Sequence, residues 1–225
     1  MKVNDFPKVT VILRGYTYDQ IHTVVKNLIG TELKAVEITM NTPGALETIR
    51  KIREEFGDSI LVGAGTVLTY TEAQQAIDAG AAFLLSPTVF DKEILDLCRE
   101  RGVISVPGAF SPSEIWKSIQ DGADIVKVFP AGRLGSRFFS DIQAPLGRLP
   151  LMAVGGVNVE NLEEFFNAGA SFAGIASGIF NRQDIIEQRE EHLRTSIREA
   201  EKKIRQLREA PVSYTHLTLP TNSRV

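Results

Sequence analysis

The chain has 225 residues, 43% hydrophobic and 24% charged, with a formal net charge of −3, which suits one large or two small soluble domains with a full core. That slight acidity gives no electrostatic case for a nucleic-acid or anionic-membrane partner. No apolar run approaches the ~20 residues of a membrane span, and the first residues lack the apolar core of a secretion signal.

Short β-branched runs alternate with longer amphipathic ones along the chain. The predicted strands are Val9–Arg14, Ala35–Met40, Leu61–Thr66, Phe83–Ser86, Ile104–Pro107, Ile125–Phe129, Leu151–Val154 and Phe172–Ala176. Thr17 with Gln20, Thr69 with Glu72 and Ser111 with Glu114 read as capping boxes that open helices. Thr42-Pro43 and Ser111-Pro112 place proline at a first helical position, and Asn158 and Asn181 are the expected caps of two late helices. Cys98, the single cysteine, excludes an internal disulfide and fits a reducing cytoplasm; its surroundings, Glu93 to Leu97, make it a packed helix residue. Glycines 30, 57, 80, 102, 122, 147 and 169 fall just before the following strand, 20 to 27 residues apart, where a helix must turn out of its right-handed path. Eight strand–helix units at this period predict a closed (β/α)8 barrel over residues 1–210; an open doubly wound sheet is the alternative, disfavoured by the count and the regularity. Residues 184–209 read as one long charged helix with an apolar stripe of Ile186, Leu193, Ile197, Ala200, Ile204 and Leu207, either the last barrel helix or a subunit contact. Residues 211–225 show no period and no core face and read as a disordered, foreign-looking tail.

The ionisable residues inside the strands carry the chemical signal. Lys127 lies within Ile125–Pro130, an apolar run that reads as a strand buried on both faces. A buried ammonium is costly, so the group tends to lose its proton and become a nucleophile toward carbonyl carbon. A snorkelling or structurally paired lysine is the other reading. Glu37 poses the same puzzle between Val36 and Ile38. Period-two alternation places Ala35, Glu37 and Thr39 on one face, and Ile125, Lys127 and Phe129 on another, so one acid and one amine point into the barrel near the carboxyl ends of its strands, where barrel sites lie. Gly63-Ala64-Gly65-Thr66 lacks the third glycine of a dinucleotide loop and instead suggests exposed backbone beside a substrate, with the Thr66 hydroxyl as donor. Gly155-Gly156 and Ser177-Gly178 follow the seventh and eighth predicted strands, the usual phosphate position in barrels. Arg14 ends the first strand as an anion contact or a rim ion pair. The three histidines, His22, His192 and His216, are scattered without metal-ligand spacing, and no Ser-His-Asp arrangement is visible. A carbanion formed without metal or flavin needs another electron sink, and a lysine iminium is one.

The motifs Ile38–Pro43, Gly63–Val67, Ser86-Pro87, Val106–Gly108, Lys127–Pro130 and Val154–Val157 together resemble the 2-keto-3-deoxy-6-phosphogluconate/6-phosphogalactonate aldolase family over about residues 8–181. The resemblance implies a metal-independent and cofactor-free class I aldolase of the cytoplasm. It further implies a homotrimeric barrel of Entner–Doudoroff-type carbohydrate metabolism that cleaves a phosphorylated keto sugar acid to pyruvate and D-glyceraldehyde 3-phosphate. It maps the Schiff-base lysine onto Lys127 and the proton-transfer glutamate onto Glu37. Substrate contacts map onto Arg14, Asn41, Thr66, Pro87 and Phe129, and the phosphate loops onto Gly155, Gly156, Ala176 and Ser177. Asn41 stands where the gluconate branch typically has arginine, and its pattern with the following proline is more like the galactonate branch; Ala176 stands where that branch often has glycine. Some relatives cleave unphosphorylated 4-hydroxy-2-oxoglutarate, and barrel isomerases or synthases of other sugar phosphates share the glycine loops without a strand-borne lysine.

On this mechanism each unit by which the lysine pKa falls raises the neutral fraction tenfold, worth about 1.4 kcal/mol. An ionised Glu37 nearby opposes that fall, so the two groups are expected not to form a direct, dry ion pair.

Overall fold

The computed structural model of the protein describes residues 2–209; the expectation for the segment 211–225 lies outside them. Nine strands form one sheet: β1 (Val9–Leu13), β2 (Ala35–Thr39), β3 (Leu61–Gly65), β4 (Phe83–Leu85), β5 (Ile104–Val106), β6 (Gly108–Ala109), β7 (Val126–Val128), β8 (Leu151–Val154) and β9 (Phe172–Ile175). Every pairing is parallel, and the spatial order is β5-β4-β3-β2-β1-β9-β8-β7-β6. The two ends of that order are one stretch of chain, because only Pro107 separates β5 from β6. Ile125 N–H donates to the Ser105 carbonyl at 3.1 Å and Lys127 N–H to the Pro107 carbonyl at 2.8 Å, which closes the sheet into the expected barrel. The fifth predicted run is therefore two strands and one stave. Proline has no N–H to give the ladder, so pairing to β4 ends at Val106 and pairing to β7 resumes at Gly108.

Around the barrel run α1 (Tyr18–Leu28), α2 (Ala45–Phe56), α3 (Tyr70–Asp78), α4 (Lys92–Arg101), α5 (Pro112–Gln120), α6 (Ala131–Leu134), α7 (Arg137–Leu146), α8 (Leu162–Asn167), α9 (Arg182–Ile186) and α10 (Glu190–Glu209). The capping boxes at Thr17, Thr69 and Ser111 form with both reciprocal bonds, and Asn181 caps α9 by accepting from Gln183 N–H. Two expected starts move. Pro43 precedes α2 in a turn, because Gly44 adopts a left-handed conformation at the cap position, while the Thr42 hydroxyl accepts from Gly15 N–H. Asn158 does not cap α8; it exchanges two 2.9 Å side chain–backbone bonds with Asn161, which itself stands at the cap.

The long helix expected over 184–209 is broken. Gln188 has φ 52°, and the Arg189 N–H bonds the Asp184 carbonyl while the Gln188 N–H bonds that of Ile185. This is a Schellman turn built without glycine, so no glycine marked it in the sequence. Leu193, Ile197, Ala200 and Ile204 of α10 are all buried within the chain, and Lys26, Asn27 and Glu32 around α1 bond Glu190, Arg194 and Glu201. The apolar stripe thus completes the helical layer of this chain.

Strand alternation divides the core in two. Val36, Ile38, Val126 and Val128 face the helices, whereas Ile12, Ala35, Phe83, Leu85, Ile104, Val106, Ile125, Met152, Val154 and Phe172 fill the barrel. Phe6, delivered by a short 3-10 turn at Val3–Asp5, plugs the amino-terminal end edge-on against Phe83 and Phe172, with ring centroids 5.1 and 5.6 Å away. Phe6→Ala should cost about 3–5 kcal/mol of unfolding free energy by opening this plug, measured by urea denaturation; a loss below 1 kcal/mol would mean the plug collapses without penalty.

Candidate active site

Lys127 is 3% exposed and Glu37 1% exposed, both on inward-facing strand positions. Desolvation pushes the Lys127 pKa down, helped by the Arg14 guanidinium and opposed by Glu37. Desolvation pushes the Glu37 pKa up, opposed by Lys127 and then Arg14. Burial thus outweighs attraction in both, so each group is driven toward its neutral form. Neither carboxylate oxygen of Glu37 has a hydrogen-bond partner, so no direct bond to the amine is formed. The Lys127 Nζ lies 5.0 Å from the centroid of the Phe129 ring.

Above Lys127 opens a cavity of about 300 Å³ at the carboxyl ends of the strands. Of the residues singled out from the sequence, it is lined by Arg14, Lys127, Phe129, Gly155, Gly156, Ala176 and Ser177. Thr66 joins this group through Arg14, whose Nη2 donates to its hydroxyl at 3.4 Å. Its backbone is at φ 58°, a conformation a β-branched residue adopts only at a cost of about 1–3 kcal/mol. It is held there by flanking strand bonds from Met40 N–H to the Gly65 carbonyl and from Val67 N–H to that of Leu85.

Glu37, like Thr66, is not itself part of the cavity lining, and two further expected residues fall elsewhere. Asn41 is exposed and lines a separate crevice of about 570 Å³ running from Met40 to Glu47. That crevice is larger than the cavity above Lys127 but has no buried ionisable group in its wall. Pro87 packs against the strand junction, its carbonyl carbon 2.6 Å from where a side chain at Gly108 would begin.

The reading of Gly63 and Gly65 as exposed backbone also changes. A Cβ at Gly63 would lie 2.3 Å from the Phe83 ring, and one at Gly65 would lie 1.5 Å from the Glu37 Oε1. These glycines make room inside the barrel.

Gly178, expected with Ser177 at the phosphate position, also lines the cavity, but the sequence reading missed part of the wall: Ile12, Val154, Val157, Asn158 and Gly174. A glycine inside a strand, as at 174, was the available sign of close approach. The two glycine loops are locked together. A Cβ at Gly178 would meet the Asn158 Cα at 2.6 Å, and the Asn161 amide donates to the Gly156 carbonyl at 2.8 Å. Gly155 and Gly156, at φ 86° and 78°, turn the chain through a region closed to most side chains.

A buried amine, an unbonded acid beside it and two backbone loops at the mouth form a site for covalent carbonyl chemistry on an anionic substrate. The family model described as KDPG and KHG aldolase matches residues 2–194. The chain belongs to the KDPG and KHG aldolase family. It is 34% identical over 170 residues, 75% of this chain and 80% of the relative, to the probable 2-dehydro-3-deoxy-6-phosphogalactonate aldolase of Rhizobium meliloti (strain 1021). It is 38% identical over 143 residues, 63% of this chain and 67% of the relative, to the 2-dehydro-3-deoxy-phosphogluconate aldolase of Treponema pallidum (strain Nichols). The solved structure described as native KDPGal matches with a TM-score of 0.76 and 27% identity, covering 89% of this chain and 97% of that one. Among the described residues of this aldolase-family chain, no helix is long and apolar enough to cross a membrane, and no three metal-type side chains converge.

The pKa directions fix how stability varies with pH. The Lys127 contribution is present above the ordinary lysine value of 10.5 and is lost as pH falls through its lowered folded value. The Glu37 contribution is present below the ordinary carboxylate value of 4.5 and is lost as pH rises through its raised folded value. Both groups therefore penalise folding between those limits. Glu37→Leu combined with Lys127→Met should raise stability at pH 7 by about 1–4 kcal/mol and remove both slopes, read from urea midpoints across the pH range; lower stability at pH 7 would show that the two groups support each other.

Proposed function

We propose that this family member is a class I aldolase that cleaves a 2-keto-3-deoxy-6-phospho sugar acid, of the gluconate or galactonate series, to pyruvate and D-glyceraldehyde 3-phosphate. The observation that carries the proposal is Lys127, a desolvated amine facing a cavity whose rim is two glycine loops. The neutral amine adds to the C2 ketone, and loss of water gives the iminium. Formation of that cation next to Glu37 favours the carboxylate, so the acid becomes a base at the step that needs one. Glu37 takes the C4 hydroxyl proton as the C3–C4 bond breaks; its electron pair enters the iminium to give the enamine, and the aldehyde leaves. Glu37 then returns its proton to C3, and water releases pyruvate from Lys127.

Arg14 and Thr66 hold the pyruvyl carboxylate in this scheme, while the backbone N–H groups of Gly155, Gly156 and Ser177 take the phosphate. Phe129 walls the reacting carbons. Ala176 shapes the phosphate loop, and Pro87 supports the strand ends. Asn41, outside the cavity, reaches substrate only across the rim.

Pyruvate and sodium borohydride should leave a reduced adduct on Lys127, located by peptide mass mapping. Lys127→Ala should fold, form no adduct and turn over no substrate. Glu37→Gln should keep the adduct but slow proton exchange at pyruvate C3 by about 100-fold or more. No adduct on folded wild-type protein would remove the aldolase mechanism.

The enzyme acts in the cytoplasm, in keeping with its single cysteine, in Entner–Doudoroff-type sugar-acid breakdown, and assembles as a homotrimer. Support for assembly comes from Leu68, Tyr70, Val89, Phe110 and Trp116, large apolar side chains 41–53% exposed. They sit after β3, β4 and β6 and on α3 and α5, which are consecutive units on one flank of the barrel. Phe110→Glu with Trp116→Glu should yield monomers by sedimentation velocity; an unchanged trimer would place the contact elsewhere.

A further inference from the structure

The Glu37 carboxylate is positioned without a hydrogen bond from any protein group. Both of its oxygens are buried and unbonded, and its side chain has three rotatable bonds. No protein group bonds the acid, so within the protein its direction is set by the surrounding walls, and one wall is unusually close. A Cβ built on Gly65 would lie 1.5 Å from Oε1, 2.2 Å from Cδ and 2.6 Å from Cγ of Glu37.

Glycine is not required at 65 by its backbone, which is ordinary strand and absent from the positive-φ glycines. Nor can that backbone retreat. It is paired in register with Thr39, its carbonyl accepts from Met40 N–H at 2.7 Å, and Thr66 follows it in a strained conformation.

We infer that Gly65 is a positioning residue for proton transfer: its missing side chain is the slot that seats the Glu37 carboxylate beside the reacting carbons. The inference rests on the reading of Glu37 as the proton carrier. A methyl group at this position must push the carboxylate away by about 2 Å to restore an ordinary 3.4 Å contact, and a displacement of even 1 Å can cost roughly 100-fold in rate. Lys127, on β7 across the barrel from β3, keeps its place.

The test compares wild type, Gly65→Ala, Glu37→Asp and Gly65→Ala/Glu37→Asp by two readouts. One is the borohydride-trapped pyruvate adduct on Lys127, and the other is deuterium exchange at pyruvate C3 followed by proton NMR. Gly65→Ala should form the adduct within about twofold of wild type yet lose about 100-fold in exchange. Retracting the acid by one methylene removes the two tightest overlaps, at Oε1 and Cδ, and leaves only the 2.6 Å approach to Cγ, so the double variant should exchange at least tenfold faster than Gly65→Ala, a rescue that a purely structural role for Gly65 would not produce.

Exchange at the wild-type rate in Gly65→Ala, or a loss that Glu37→Asp does not rescue, would overturn the inference. If Gly65→Ala is insoluble, recovery of soluble protein in the double variant supports the overlap, and insolubility of both overturns it. A wild-type protein that forms no adduct sinks the aldolase reading itself, and this inference with it; a wild-type adduct with Gly65→Ala exchanging normally sinks the inference alone.

Discussion

An amine and a carboxylic acid share one apolar barrel without bonding each other, and the rest of the site follows from that constraint. A direct ion pair would have stabilised the ammonium and kept the amine protonated. Separation lets desolvation dominate both groups, so Lys127 loses its proton more readily and Glu37 holds one more tightly. The arrangement is unfavourable for folding, since buried polar oxygens without partners are rare in native proteins. A barrel tolerates it because the cost is confined to one layer, while the remaining inward positions are filled by side chains such as Ile12, Phe83, Leu85, Ile125 and Met152.

The two ends of the barrel divide the work. The amino-terminal end is closed by Phe6 packed edge-on between two rings, an apolar plug below the ionisable pair. The carboxyl end stays open and is lined by backbone more than by charge. Arg14 is the one guanidinium in the cavity wall, and the glycine loops owe their shape to contacts with each other. A rim of this kind offers backbone N–H groups to an anion without a second strong cation, which would lower the pKa of both groups and so draw Glu37 toward its carboxylate.

The fold alone does not choose the reaction. A barrel of this architecture houses many unrelated chemistries. What separates the present chain from a generic phosphate-binding barrel is a lysine in the middle of β7, facing inward, at a position where an apolar residue would pack more cheaply.

Much of this was legible in the amino-acid order because local rules wrote it. Strand alternation placed Glu37 and Lys127 inward, three capping boxes started α1, α3 and α5, and repeated glycines counted the units of the barrel. What the order could not carry was decided by contacts between distant segments. The Schellman break at Gln188 has no glycine to announce it, and the bond from its side chain to Thr23 is made across 165 positions. That the stave interrupted at Pro107 pairs with β4 before it and with β7 after it is visible only in the closed sheet. Gly63 and Gly65 look like a loop motif in one dimension; in three they are the spaces that Phe83 and Glu37 occupy. Period and propensity belong to neighbours in sequence, so one chain displays them. Volume belongs to residues brought together by folding, and only the closed barrel shows which missing side chain leaves room for which group.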